Sequence, residues 1–130
     1  MKATQPARGT ILVIESDGAT RSGMKLLVEK YGYMAGVAVN EHEAASIASQ
    51  NKYDLILYDT GIAPPESFAA AYKLSRKPEL QGIPMIALSV HHEFSLPLNN
   101  PDVDNFAVAY ISNVSHFEQL ERLMHCLLSK

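Results

Sequence analysis

Short apolar runs alternate along this chain with longer segments in which apolar residues recur at three- and four-residue spacing, a pattern that predicts strands and helices in turn. Ile11-Leu12-Val13-Ile14 is the first run, and no polar residue breaks it, as expected of a strand covered on both faces. Met24, Leu27, Val28 and Tyr31 then fall at i, i+3, i+4 and i+7, one helical stripe, and Gly32 stands where the left-handed residue after a helix belongs. Residues 33–39 read as a second strand. Asn40-Glu41-His42-Glu43 offers a side-chain cap with Glu three residues on, and opens a helix of Ala44, Ala45, Ile47 and Ala48 whose small side chains imply close packing on a sheet. Leu55-Ile56-Leu57-Tyr58 is the third strand, with Asp59 just past it. Pro64-Pro65-Glu66 starts a helix with Phe68, Ala71, Tyr72 and Ser75 on one face, and Pro78 ends it. Gly82-Ile83-Pro84 leads into Met85-Ile86-Ala87-Leu88, a fourth buried strand with Ser89 at its carboxyl end. Ser115-His116-Phe117-Glu118 is a capping box, followed by Leu120, Leu123, Met124 and Leu127 at helical spacing.

Strands that alternate with helices need crossover connections, so the predicted fold is α/β: a doubly wound, five-stranded parallel sheet with helices on both faces. Residues 90–108 are the irregular stretch. Pro97, Asn99-Asn100-Pro101, Asp102 and Asp104 interrupt any long helix there, and the fourth helix is expected to be irregular.

At 130 residues the chain suits one domain, with residues 1–9 read as a lead-in without periodicity and 10–130 as the domain. The formal net charge of -3, with Lys and Arg scattered, offers no electrostatic footprint for nucleic acid. Cys126 is the only cysteine, and neither a signal-like segment nor an apolar stretch of bilayer-spanning length is present, so a reducing cytoplasm is the expected compartment and no membrane the expected surroundings. His91-His92 reads as an exposed loop pair, since adjacent histidines point apart and no further ligand stands at metal spacing. Cys126 beside His125 lacks the base-and-orienter set of a nucleophile and reads as structural.

The chemistry gathers where buried strands end. Glu15-Ser16-Asp17 follows the first strand and Asp59 the third, which brings acidic groups to one edge of the sheet, and ligands of open parallel sheets bind at the carboxyl ends of the strands. Asp17 suits the cap of the first helix. A flavodoxin-like nucleotide binder is disfavoured, because Glu15 and Asp17 would repel the phosphate that such proteins seat on backbone N–H groups at the first strand-to-helix turn.

From residue 10 to residue 128 the chain resembles the receiver (CheY-like) domain of two-component response regulators. The motifs that carry the resemblance are Ile11-Leu12-Val13-Ile14 with its acidic turn and Arg21, Tyr53-Asp54-Leu55-Ile56-Leu57-Tyr58-Asp59, residues 78–89 from Pro78 to Ser89, and Tyr110-Ile111-Ser112. The resemblance implies the strand order 2-1-3-4-5. It also implies that Asp59 is the phosphoacceptor, Ser89 the hydroxyl that bonds the phosphoryl group, and Tyr110 the aromatic switch residue. Glu15 and Ser16 occupy the positions of the acidic pair that holds magnesium, and Asn113 and Val114 those of a lysine and the proline after it. Ala63 stands where a proline is usual, with Pro64 next, and Val90 replaces a small residue.

A magnesium site of Glu15, Ser16, Asp59 and Gly61 is therefore expected to be weak or absent, since Ser16 brings a neutral oxygen where a carboxylate is usual and Mg²⁺ depends on hard, charged ligands. The implied role is signalling rather than metabolic catalysis. A histidine kinase or phosphotransfer protein would donate the phosphoryl group, and an effector or fused output domain would read the result. A homodimer is compatible with such a module. Two readings stay open here: a phosphoacceptor on Asp59, and a partly degenerate receiver that acts as a phosphorylation-independent interaction module.

Overall fold

The computed structural model describes residues 8–61, 66–88, 108–111, 121–122, 124–125 and 128. Among them the chain runs β1 (Thr10–Ile14), α1 (Gly18–Lys30), β2 (Met34–Ala38), α2 (Glu41–Gln50), β3 (Leu55–Asp59), α3 (Glu66–Ser75), a 3-10 turn (Pro78–Leu80), β4 (Met85–Leu88) and β5 (Val108–Ile111). Residues 121, 122, 124, 125 and 128 are helical. The five strands form one sheet in the order β2-β1-β3-β4-β5, and every neighbouring pair is parallel. That is the predicted architecture. Of the stretch 90–108, where an irregular fourth helix is expected, residues 90–107 lie outside the described residues, and Val108 begins β5.

Alternation along the buried strands sorts their side chains onto two faces. Ile11 and Val13 of β1, Leu55 and Leu57 of β3 and Ile86 of β4 pack with Met24 and Val28 of α1 and with Met124 of the C-terminal helix. Leu12, Ile14, Ile56, Tyr58, Met85 and Ala87 pack on the opposite face with Ala44 of α2 and with Ala71 and Leu74 of α3. Each fully buried Leu or Ile is worth roughly 1.5–3 kcal/mol, so strands this short hold because both faces are covered. β2 lies at the sheet edge, and that position explains its mixed burial and Met34, which is 60 % exposed despite the apolar run.

The helix ends follow from local chemistry. Asp17 caps α1, accepting from the Thr20 N–H (2.9 Å) and the Thr20 hydroxyl (2.8 Å). Asn40 caps α2 through the Glu43 N–H (2.8 Å), while Glu43 reaches back to the Val39 N–H (2.9 Å), one residue further than an ordinary capping box. Gly32, at φ 95, takes the left-handed position after α1. In α3 the residues buried against the sheet are Ala71 and Leu74, whereas Tyr72 and Ser75, which share a helical face with Ala71, are half-buried; the Tyr72 ring meets the Arg76 guanidinium. Pro78 sits at the start of the 3-10 turn that buries Leu80, a further element beyond the helix stop expected there.

Arg8 and Gly9, placed with the lead-in by their composition, are held against the domain. The Arg8 N–H donates to Gly32 O (3.0 Å), its guanidinium donates to Tyr31 O (2.9 Å) and lies 4.9 Å from the centroid of the Tyr33 ring, and it also bonds His125 of the C-terminal helix.

Gly36 marks a close approach on β2. A Cβ built there meets the Tyr53 ring at 2.9 Å and its hydroxyl closer still. Gly36→Ala should therefore lower the unfolding free energy by about 1–3 kcal/mol, measured by denaturant unfolding. Adding Tyr53→Phe should recover only part of the loss, because the ring carbons still collide.

Candidate functional site

Register brings two carboxylates together. β1 and β3 pair with Val13 opposite Leu57 and Ile14 opposite Tyr58, so the next step along both strands sets Glu15 beside Asp59 on one face. The Glu15 N–H still donates to Ala38 O (3.0 Å), so the backbone of β1 stays in the ladder to that point. β1 and β3 are also where the strand order reverses, and the crevice outside their carboxyl ends is the usual ligand site of an open α/β sheet. Asp59, expected just past β3, is its last residue.

Both acids are buried, Glu15 4 % and Asp59 8 % exposed. Glu15 Oε2 accepts from the Asp17 N–H (3.0 Å), and Asp59 Oδ1 accepts from the Gly61 N–H (3.1 Å), with Gly61 at φ 73. Glu15 Oε1 is buried and has no hydrogen-bond partner among the described residues. Burial first, and contact with Asp59 second, push the Glu15 carboxyl up from 4.5 to about 8, against the lowering effect of the Asp17 N–H. Two ionised carboxylates only accept, so their contact becomes a hydrogen bond when one carries a proton. A cation between them does the same work without the proton.

The walls of the site are tied to the ends of neighbouring elements. Arg21 Nη1 donates to Glu15 O (3.0 Å) and Ser16 O (3.3 Å). The Tyr58 hydroxyl, one residue before Asp59, donates to Glu41 Oε1 in the first turn of α2 (2.9 Å). Nothing in the spacing of Tyr58 and Glu41 announced that contact, which joins residues of two separate elements.

Of the residues singled out in the sequence, the structure joins Glu15 and Asp59 and sets the Gly61 N–H on Asp59, while Ser16 is exposed on the loop beside them. Tyr110 lies on β5, its backbone paired with Ala87, and Leu88 pairs with Asp59. Ser89, Asn113 and Val114 lie outside the described residues, as do Ala63, Pro64 and Val90.

Solved structures of similar shape are receiver domains. That of a signal transduction histidine kinase from Syntrophus aciditrophicus is 28 % identical over 93 % of this chain and 90 % of its own, with a TM-score of 0.68. The chain folds as a receiver domain. The receiver domain of a sensor histidine kinase from Pseudomonas aeruginosa PAO1, 17 % identical over 94 % of this chain and 98 % of that one (TM-score 0.67), carries a magnesium ion coordinated in its active-site cleft. A third, from Carboxydothermus hydrogenoformans, is the N-terminal domain of a three-domain response regulator/sensory box/GGDEF protein, 18 % identical over 92 % of this chain and 94 % of that one (TM-score 0.68). No protein-family model matches the chain. Among the described residues, no helix is long and apolar enough to cross a membrane.

The acidic pair suits a divalent cation. An orphaned, buried carboxylate oxygen beside a second carboxylate is a hard-oxygen site in need of positive charge, and Mg²⁺ commonly takes one or two carboxylates and completes its shell with phosphate and water. No group of three or more acidic, His or Cys side chains placed to hold a metal occurs among the described residues.

The raised Glu15 carboxyl sets a pH dependence. Between 4.5 and about 8 the folded state keeps a proton that the unfolded state has released, so this contribution to stability is complete below that window and is lost as pH rises through it. Glu15→Gln should raise the unfolding free energy at pH 8–9 by roughly 1–2 kcal/mol and change it little near pH 4, measured by urea unfolding without divalent cations.

Proposed function

We propose that this receiver accepts a phosphoryl group on Asp59 from a phosphohistidine of a kinase or phosphotransfer protein. The observation that carries the reading is the buried Asp59 at the carboxyl edge of β3, beside a Glu15 oxygen that has no donor. An Asp59 oxygen attacks phosphorus in line, the P–N bond breaks, and its electron pair leaves with the imidazole, which gives an acyl phosphate on Asp59. The site must first overcome charge repulsion, since an incoming phosphoryl group meets the Asp59 carboxylate, and Glu15 adds a second negative charge once its raised carboxyl releases its proton. Glu15 and Asp59 would hold magnesium, with Ser16 and Gly61 at its fringe, and the ion would neutralise charge on the phosphoryl oxygens.

Ser89 directly follows Leu88, the register partner of Asp59, and in this reading its hydroxyl donates to the phosphoryl group. Asn113 supplies a neutral amide where a lysine would bring charge, so its hydrogen bond is worth roughly half a charge-assisted one. Phosphorylation then biases the two conformations only weakly through Tyr110, because a ligand shifts an equilibrium only by its differential interaction with the two states. The role is that of a cytoplasmic signalling module whose readers are an effector protein or a fused output domain.

Treatment with a small-molecule phosphodonor, followed by intact mass, tests the reading. Wild type should gain one phosphoryl group in the presence of Mg²⁺ and much less with EDTA, and Asp59→Ala should gain none. Absence of any adduct on wild type at saturating Mg²⁺ would sink phosphoacceptance and leave a phosphorylation-independent interaction module. Ser16→Asp should tighten Mg²⁺ binding, followed by Tyr58 fluorescence, because it restores a charged ligand; an unchanged titration would count against the site.

A further inference from the structure

We propose that Arg21 is the positioning residue of this acidic site, holding Glu15 in place against Asp59 from behind the first strand-to-helix loop and so setting how tightly the pair holds a divalent cation. The cation arm of this inference rests on the functional reading above, whereas the positioning arm rests on geometry alone.

The geometry is a closed ring of hydrogen bonds that begins and ends on one residue. Glu15 Oε2 accepts from the Asp17 N–H (3.0 Å). Asp17 O accepts from the Arg21 N–H (2.8 Å), the first bond of α1. The Arg21 guanidinium then turns back and donates through Nη1 to Glu15 O (3.0 Å) and Ser16 O (3.3 Å). A Cβ built on Gly18 meets Arg21 Nη2 at 3.7 Å, so the side chain lies folded across the loop rather than out in solvent. Both the carbonyl and the carboxylate of Glu15 are thereby fixed relative to the start of α1.

This matters because Glu has one more rotatable bond than Asp, and a longer acid reaches a defined position only if its surroundings restrict it. Arg21 bonds carbonyl oxygens and leaves Glu15 Oε1 without a donor. It therefore aims the acid rather than neutralising it. A planar guanidinium suits the task, since one nitrogen can bridge two carbonyls while the group stays flat against the loop.

The test compares wild type with Arg21→Ala, Arg21→Lys and Lys25→Ala. Lys25 lies on the same helix in an exposed pair with Glu29, so its removal takes one positive charge from α1 without touching the loop. Amide hydrogen exchange at Asp17 reports the grip on the Glu15 carboxylate in the absence of metal, and a Mg²⁺ titration followed by amide shifts near Asp59 reports the cation. Arg21→Ala should speed Asp17 exchange and raise the Mg²⁺ midpoint by about tenfold or more, the usual cost of losing a group that orients a metal ligand. Arg21→Lys should fall between, and Lys25→Ala should match wild type in exchange. If Arg21→Ala behaves as Lys25→Ala in both measurements, the proposal is overturned. Should Arg21→Ala fail to fold, Arg21→Lys decides: wild-type exchange and an unchanged midpoint overturn it. Faster Asp17 exchange in Arg21→Ala, with no Mg²⁺ response even in wild type, supports the positioning role and overturns the cation reading instead.

Discussion

The meeting of Glu15 with Asp59 is the constraint around which the rest of this molecule is arranged. Two acids at the ends of adjacent parallel strands cannot avoid each other once the strands are in register, and the register is held by apolar side chains on both faces of the sheet. A slip of one residue would exchange the two faces and move both acids away from their present neighbours. The apolar core therefore holds the carboxylates together against their own repulsion. Glu15 bears the cost as a raised carboxyl and an oxygen without a donor.

A site under that strain responds to anything that brings positive charge or a proton. The fold places it where the strand order reverses, at the crevice where ligands of open α/β sheets bind. The surrounding contacts tie the site to neighbouring elements: Asp17 caps α1, Arg21 clasps the loop, and Tyr58 joins the end of β3 to the first turn of α2. Charge added at Asp59 would be felt by α1 and α2 through hydrogen bonds already in place.

The departures at Ser16 and Asn113 act on different parts of this device. Ser16 bears on the cation, since its neutral hydroxyl is exposed beside the pair rather than completing it. Under the proposed phosphoacceptor role, Asn113 would bear on the link between a phosphoryl group and the last strand, where a neutral amide offers a weaker bond than an ammonium. The acidic pair itself rests on the burial of Glu15 and Asp59 and on the β1–β3 register.

The alternation of strands and helices, the caps at Asp17 and Asn40 and the positions of the buried runs were legible in the sequence, because each depends on a few neighbouring residues and on the periods of strand and helix. That Asp59 and Glu15 stand at strand ends was legible for the same reason. In α3 the shared face of Ala71, Tyr72 and Ser75 was legible, but that Leu74 is the residue buried beside Ala71 was not, since helical spacing alone cannot say which of two overlapping faces meets the sheet. The exposure of Met34 follows from β2 lying at an edge, which no apolar run reveals. That Glu15 and Asp59 converge at the carboxyl edge was also expected from the sequence, whereas the Tyr58 bond to Glu41 and the docking of Arg8 on Tyr33 were decided only by the tertiary structure. Those pairs are far apart in the chain, and their energies exist only after parallel pairing has set the distance between elements, whereas caps and periods act within one turn or one strand.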